Sequence, residues 1–211
     1  MKLNKRNRTE RRKEETKNKI IAAAMALYNK QGFDQTTVEQ IAEEADVALG
    51  TIYNHFPAKE AIICEYVQRI IREQGPEALR LVLQLPDTRS RLTAALRKSL
   101  EWMQFESNKE IYERYYTYRM QKVFQVIRDW DLSLSSGFRD VLAPIIELGK
   151  ETGEIRRDID SMALAAHLES MHSNAAVVWL THPELFPIDD GINMILDLFL
   201  NGAGNRESDN E

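Results

Sequence analysis

Apolar positions recur every three or four residues along nearly the whole chain, and the alternation of β-branched residues between turn clusters that marks strands is missing. Ile20, Ala23, Ala24, Leu27 and Tyr28 make one such face, in a helix predicted over about 11–31 and closed by Gly32. Thr37-Val38-Glu39-Gln40 reads as a capping box, with the Thr37 hydroxyl and the Gln40 side chain satisfying free amides at a helix start. Ile41, Ala42 and Ala45 give that short helix its inner face. Asp46-Val47 interrupts it, and a second short helix over 49–55 turns Ile52 and Phe56 inward. Pro57 stops this one, because the residue before a proline is pushed out of the helical region. A longer helix is predicted over about 58–77, striped by Ala61, Ile62, Tyr66 and Ile70. Beyond Pro76 the same period predicts a helix capped by Asp87 or Thr88 and ending near Glu106, a short one over 108–120, and a long segment over 123–150 that ends at Gly153. A helix from Asp160 or Ser161 to Leu180 and a last one from Asp189 or Asp190 to about Leu200 complete the set. The pattern predicts an all-α chain of about nine helices.

Composition narrows the class. At 211 residues with 43% apolar and 29% charged side chains, the chain can bury a sizeable core, and a lone Cys64 excludes a disulfide scaffold. The basic start is followed by no apolar segment, and no run approaches the ~20 residues that span a bilayer, which points to a soluble, cytoplasmic protein without a membrane partner. A net charge of -5 argues against nucleic acid until it is divided along the chain. Residues 1–20 hold nine Lys/Arg against three Glu, whereas residues 61–211 hold 17 basic against 24 acidic side chains. A basic arm on an acidic body is therefore expected, divided as an arm at 1–10, a compact reader at 11–60, a helical body at 61–201 and a disordered tail at 202–211.

Two short helices with a tight turn between them, after a longer helix and a basic arm, make a candidate helix-turn-helix. A generic helical hairpin has the same outline. The string from Thr36 through Ile41-Ala42, Gly50-Thr51-Ile52-Tyr53-Asn54-His55-Phe56 to Lys59-Glu60, with the preceding Gly32-Phe33, closely resembles the DNA-binding module of the TetR family of bacterial transcriptional repressors. The resemblance spans about residues 15–65 and is carried further only by helical layout and by the turn Thr152-Gly153-Glu154-Ile155-Arg156. It implies an N-terminal three-helix DNA-binding domain and a C-terminal helical domain that binds an effector and dimerises.

On this reading Gly50 lets backbone approach DNA or a neighbouring helix closely, at a helix cost of about 1 kcal/mol. Thr51 and Asn54 face base edges, and Leu49 a thymine methyl. By resemblance, Tyr53, His55 and Lys59 contact phosphates, and Thr37 presents a helix N-terminus to one. Three departures reduce polar contact: Asp46 stands where glycine is common, Ala48 replaces a common serine, and Leu49 takes an often polar position. Arg6, Arg8, Arg11 and Arg12 of the arm can compensate at phosphates or in a minor groove.

Enzymatic chemistry finds no support. His167 and His172 flank Glu169 but lie five apart, whereas metal ligation from one helical face needs four, so no metal site and no cofactor are expected. No phosphate-cradling glycine loop or exposed-serine elbow is present. The aromatics of the body are mostly core by expectation, yet an effector pocket implied by the resemblance draws on Trp102, Tyr112, Tyr116, Phe124, His167 and Met171. Glu169 is a candidate partner for a cationic ligand. The last helix carries more apolar side chains than one side of a small domain can bury, and the helix before it is rich in small residues. A homodimer through Ala166, Ser170, Ser173, Ile192, Ile195 and Phe199 is expected, spacing two readers roughly 34–36 Å apart on a palindromic operator. The sequence thus reads as a repressor released by a small hydrophobic effector. A regulator without an effector and a helical protein-binding adaptor are the alternatives.

Overall fold

The computed structural model describes residues 2–105, 109–129, 136–184 and 187–203, with side chains throughout except over 2–7, 102–105, 123–129 and 203. Among the described residues there are nine helices and no strand: α1 (Lys2–Gln31), α2 (Val38–Glu44), α3 (Leu49–His55), α4 (Lys59–Val82), α5 (Thr88–Phe105), α6 (Lys109–Asp129), α7 (Arg139–Glu151), α8 (Ser161–Thr181) and α9 (Ile188–Ala203). None of them is long and apolar enough to cross a membrane.

Helix ends set by local chemistry fall where the sequence places them. Gly32 takes φ +83 and donates its N–H to the Tyr28 carbonyl at 2.9 Å, closing α1. The capping box on α2 forms in both directions, Gln40 N–H to Thr37 Oγ1 at 3.2 Å and Thr37 N–H to Gln40 Oε1 at 2.9 Å. Asp160 caps α8 by accepting from the Ala163 N–H at 3.0 Å.

Three boundaries differ. α1 begins at Lys2, so the backbone of the predicted arm is continuous with the helix. α4 runs through Pro76 to Val82 because its apolar side packs on α5, α6 and α7, and that burial outweighs the missing amide hydrogen bond. The long segment predicted over 123–150 divides into the end of α6 and a separate α7, which Gly137 precedes at φ +80.

Ile20, Ala24, Tyr28, Phe33, Ile41, Ile52 and Phe56 join α1, α2 and α3 into one small core. In the body, α5 packs on both α7 and α9, while α8 lies between α7 and α9 and also touches α6. The turn after α7 is a structural clasp: Glu154 accepts the Thr88 N–H at 2.8 Å and the Thr152 hydroxyl at 2.7 Å, tying α5's start to α7's end. Gly149 is required there, because a Cβ would lie 2.6 Å from Thr88 Oγ1 and 2.8 Å from Ile155 Cγ1. Cys64 is buried, and burial pushes its thiol up to about 12, so it is an inert core group.

Candidate nucleic-acid interface and interhelical chamber

The reader presents α3 outward. Ile52 and Phe56 anchor it, while Tyr53 is 52% and Leu49 38% exposed, and Gly50 and Asn54 share the open side with Thr51 half-buried beside them. A Cβ at Gly50 would meet nothing within 4 Å, so no contact inside this chain requires glycine there. Ala48 caps α3 without a side-chain hydrogen bond, and Asp46 takes φ 52 in the turn, the left-handed conformation that glycine adopts more easily. Thr37 sits at the exposed start of α2 with its hydroxyl engaged in the capping box.

Lys59 departs from the expected phosphate contact. Its ammonium donates to the carbonyls of Phe33 at 3.0 Å and Thr36 at 2.6 Å and lies 4.3 Å from the Phe33 ring centroid. The residue holds the α1–α2 turn, because the start of α4 lies directly beneath it. Positive charge that the sequence reading did not single out comes from α1: Lys13 and Lys17 lie close enough to His55 to push its pKa down, after the larger effect of burial. Their spacing of four along α1 was the available signal. Of the arm residues, Arg11 pairs with Glu15 at 3.2 Å and Arg8 and Arg12 are exposed, whereas the Arg6 side chain lies outside the described residues.

A chamber opens between α4, α6 and α8, about 450 Å³ in its inner part when space open to solvent is counted. Val67, Ile70 and Ile71 of α4, Tyr112, Tyr115 and Tyr116 of α6, and Phe138 line it. His172 and Ser99 meet at 2.9 Å in its wall, and burial pushes the imidazole down to about 4, against smaller upward effects from the Leu96 carbonyl and Glu169. Glu169, 3% exposed, is held by Arg119 at 3.2 Å, by Arg139 at 2.5 Å and by the Ser136 hydroxyl. Burial alone raises this carboxyl, but Arg119, the Ser136 hydroxyl and Arg139 together outweigh burial and keep it below the usual carboxylate range. Beyond it the chamber widens into an outer vestibule of about 900 Å³, counting space open to solvent, lined by Met120, Arg139, Ser170, Ser173, Asn174 and Val177 among others.

Of the residues expected at an effector pocket, Tyr112 and Tyr116 line this chamber. His167 does not: it is exposed on α8, since five residues on a helix turn a side chain well away from its fellow, and His172 takes the chamber wall instead. Met171 packs against the core and does not line the chamber. The side chains of Trp102 and Phe124 lie outside the described residues. Glu169 already has two guanidinium partners, which leaves no place for the cationic ligand expected from sequence. On the proposed dimer face, Ile192, Ile195 and Phe199 are buried within the protomer, whereas Ser170 is exposed and Ala166 and Ser173 are half-buried. The apolar side chains that face outward are Met194 and Leu198 on α9 and Met162 and Val178 on α8.

α6 joins reader and chamber. Near the start of α6, Glu110 accepts the Phe33 N–H at 3.3 Å and Arg114 donates to both oxygens of Asp34 at 2.8 Å, with its guanidinium 5.0 Å from the Phe33 ring centroid. The same helix carries the three tyrosines of the chamber.

Residues 20–66 match the family model described as bacterial regulatory proteins, tetR family. The fatty acid metabolism regulator protein of Bacillus subtilis is 25% identical over 89% of this chain and 95% of its own length. The transcriptional repressor KstR2 of Rhodococcus jostii is 25% identical over 87% of this chain and 88% of its own. A crystal structure of Thermus thermophilus FadR, a TetR-family repressor in complex with lauroyl-CoA, superposes with a TM-score of 0.77 at 24% identity, covering 92% of this chain and 98% of that one.

Two outcomes test the site. Lys59→Ala lowers thermal stability along with DNA affinity, by about 1–3 kcal/mol for the two carbonyls that lose their donor, whereas Asn54→Ala leaves the melting temperature unchanged and relaxes preference at individual base pairs. Thermal unfolding beside binding to randomised duplexes separates them, and equal loss of specific and nonspecific binding in Asn54→Ala removes that residue from base reading. His172 stays neutral in the fold down to about 4 while the unfolded chain takes up a proton near the ordinary 6.5. Stability therefore falls as pH drops from 6.5 to 4, by about 3 kcal/mol from this group. The contribution of Glu169, whose folded value is depressed, is lost in a lower window as pH falls through that value. Melting curves of His172→Gln should flatten between pH 6.5 and 4; an unchanged slope refutes the assignment.

Proposed function

We propose that this chain, a member of the TetR family of transcriptional regulators, is a ligand-responsive repressor that leaves a palindromic operator when a small hydrophobic effector fills the chamber between α4, α6 and α8. The observation that carries the reading is that α6 both lines the chamber and grips the reader, through Tyr112, Tyr115 and Tyr116 on one face and Glu110 and Arg114 on another. α4 makes the second link, since it starts at the reader with Lys59 and passes Val67, Ile70 and Ile71 along the cavity. A ligand that binds better to a different angle between these helices weakens DNA binding by the same factor.

Relatives support the ligand class as well as the action. The Thermus thermophilus structure holds lauroyl-CoA, and the Bacillus subtilis relative is a fatty acid metabolism regulator. A chamber walled by isoleucines, valine and tyrosines suits an acyl-type body of this kind. DNA is read by Leu49, Gly50, Thr51 and Asn54 on α3, with Tyr53 and His55 toward phosphates and Lys13, Lys17 and the arm as the positive rim. The division into arm, reader at 11–60, body at 61–201 and tail fits this assignment of work.

Two copies pair through α8 and α9, burying Met162, Val178, Met194 and Leu198, which the protomer leaves exposed. Leu198, 61% exposed on α9, is the natural probe. Leu198→Glu should sediment as a monomer with an unchanged helical spectrum; a dimer of unaltered mass places the interface elsewhere.

A gel shift against DNA flanking the chain's own gene tests the repressor reading at low salt, where phosphate contacts are strongest. Retarded DNA released by an acyl thioester is expected, and no binding at low salt sinks it. In Arg114→Ala the effector should still bind with little change in affinity while operator release weakens a few-fold, up to about fivefold, the size set by an exposed ion pair worth about 0–1 kcal/mol. Full release in that variant shows that α6's grip on Asp34 plays no part.

A further inference from the structure

Among the described residues that line the chamber and its vestibule, the ionised side chains are Arg119, Arg139 and Glu169. Two guanidinium groups share one carboxylate, so the site holds one positive charge that no lining carboxylate matches. Burying such an excess in apolar surroundings is costly unless an anion joins it. The position of the charge is specific. Glu169 and Arg119 stand on the wall common to the inner chamber and the vestibule, and Arg139, which starts α7, faces the vestibule only. The inner side is mostly apolar, its Ser99 and His172 bonded to each other and its Ser136 to Glu169, while Ser170 and Asn174 offer a hydroxyl and an amide on the outer side alone and Ser173 stands at both.

On the reading that the chamber holds the effector, we infer that Arg119 and Arg139 form an anion-recognition point at the neck of the chamber. The effector is then an amphiphile whose acidic group, carboxylate or phosphate, docks at that neck with its hydrocarbon body inward. Glu169 acts as the built-in stand-in for that acid. It holds both arginines in place while the site is empty, and it sets the selectivity, because a cationic or neutral head meets a surplus of positive charge. Arg119 is fixed from a second side by donating to the Tyr115 hydroxyl at 3.0 Å. Arg139, at 36% side-chain exposure, is the more accessible of the two to an incoming head.

Isothermal titration of the full chain with a matched set tests this: decanoate, decyl phosphate, decanoyl-CoA, methyl decanoate and decyltrimethylammonium. At least one acid should bind about tenfold or more tightly than the methyl ester, the size expected of a charge-assisted hydrogen bond, and the ammonium should bind weakest. Which acid leads separates a carboxylate head from a phosphate head. Arg139→Gln should bring acid and ester within about twofold, Arg139→Lys should restore most of the preference, and Glu169→Gln should widen it. Losses from a merely structural role move all ligands alike in every variant. Melting curves verify folding, and if Arg139→Gln fails to fold, the lysine and Glu169→Gln variants decide. An ester that binds as tightly as the acids, an ammonium that binds best, or a preference untouched by Arg139→Gln overturns the inference and leaves the effector reading standing. If no member binds or alters operator affinity, the effector reading falls and takes this inference with it.

Discussion

The turn between α1 and α2 is where α4 and α6, two walls of the chamber, both take hold of the reader. Gly32 starts it in a left-handed conformation, Phe33 turns its ring inward against Tyr28 at 5.1 Å, and Thr36 closes it by donating its hydroxyl to the Gly32 carbonyl at 2.8 Å. Its outward groups are bound by the body rather than by water. Lys59 from α4 takes two carbonyls, Glu110 from α6 takes an amide, and Arg114 takes the Asp34 carboxylate. A turn whose backbone polar groups are satisfied by two different helices fixes the reader to both. The orientation of α3 is therefore determined by α4 and α6 together, and these are two of the three helices that enclose the chamber.

How much of this the sequence discloses depends on whether the deciding contact is local. The capping box at Thr37, the stop at Gly32, the break before Pro57 and the cap at Asp160 are each settled within a few residues, and each appears where the pattern puts it. The role of Lys59 is settled by residues 23 and 26 positions earlier in the chain, so a motif that only places it at a helix start cannot show that its ammonium is already engaged. The same holds for α9. Its apolar side chains point more than one way, and periodicity cannot say which of them meet α5 and α8 and which stay exposed. Ile192, Ile195 and Phe199 are buried within the protomer, and Met194 and Leu198 are exposed.

Charge shows the same division. The net balance along the chain correctly separates a basic beginning from an acidic remainder, but the remainder is not uniformly averse to anions. Arg119 and Arg139 are brought to one carboxylate from α6 and the start of α7, and Glu169 is reached from α8. Read singly, Glu169 attracts cations; read with its neighbours, it is the minority charge. A buried carboxylate in an apolar helix is a signal that partners exist, though it does not say which they are. At the reader, Lys13 and Lys17 place positive charge near His55 on the regular helix α1, with Lys17 also paired to Glu65 of α4 at 3.5 Å.

The two links between chamber and reader are unequal, and that inequality sets the direction of coupling. α4 is joined to α3 through the short connection at Phe56, Pro57 and Ala58, and its Lys59 is partly shielded beneath the turn. α6 holds the same turn through an ion pair whose members are 37% and 66% exposed, a class of contact worth about 0–1 kcal/mol, and through one amide to a carboxylate. Close-packed chamber walls do not absorb an inserted ligand continuously; they shift as units. On the effector reading, a ligand that forces Ile70 and Tyr116 apart pulls α6 against α4 at the turn, and α6 moves the reader only as far as its grip on Phe33 and Asp34 holds. The coupling that α6 can transmit then has a ceiling near the small free energy of that grip, and most of the repression ratio must pass along α4.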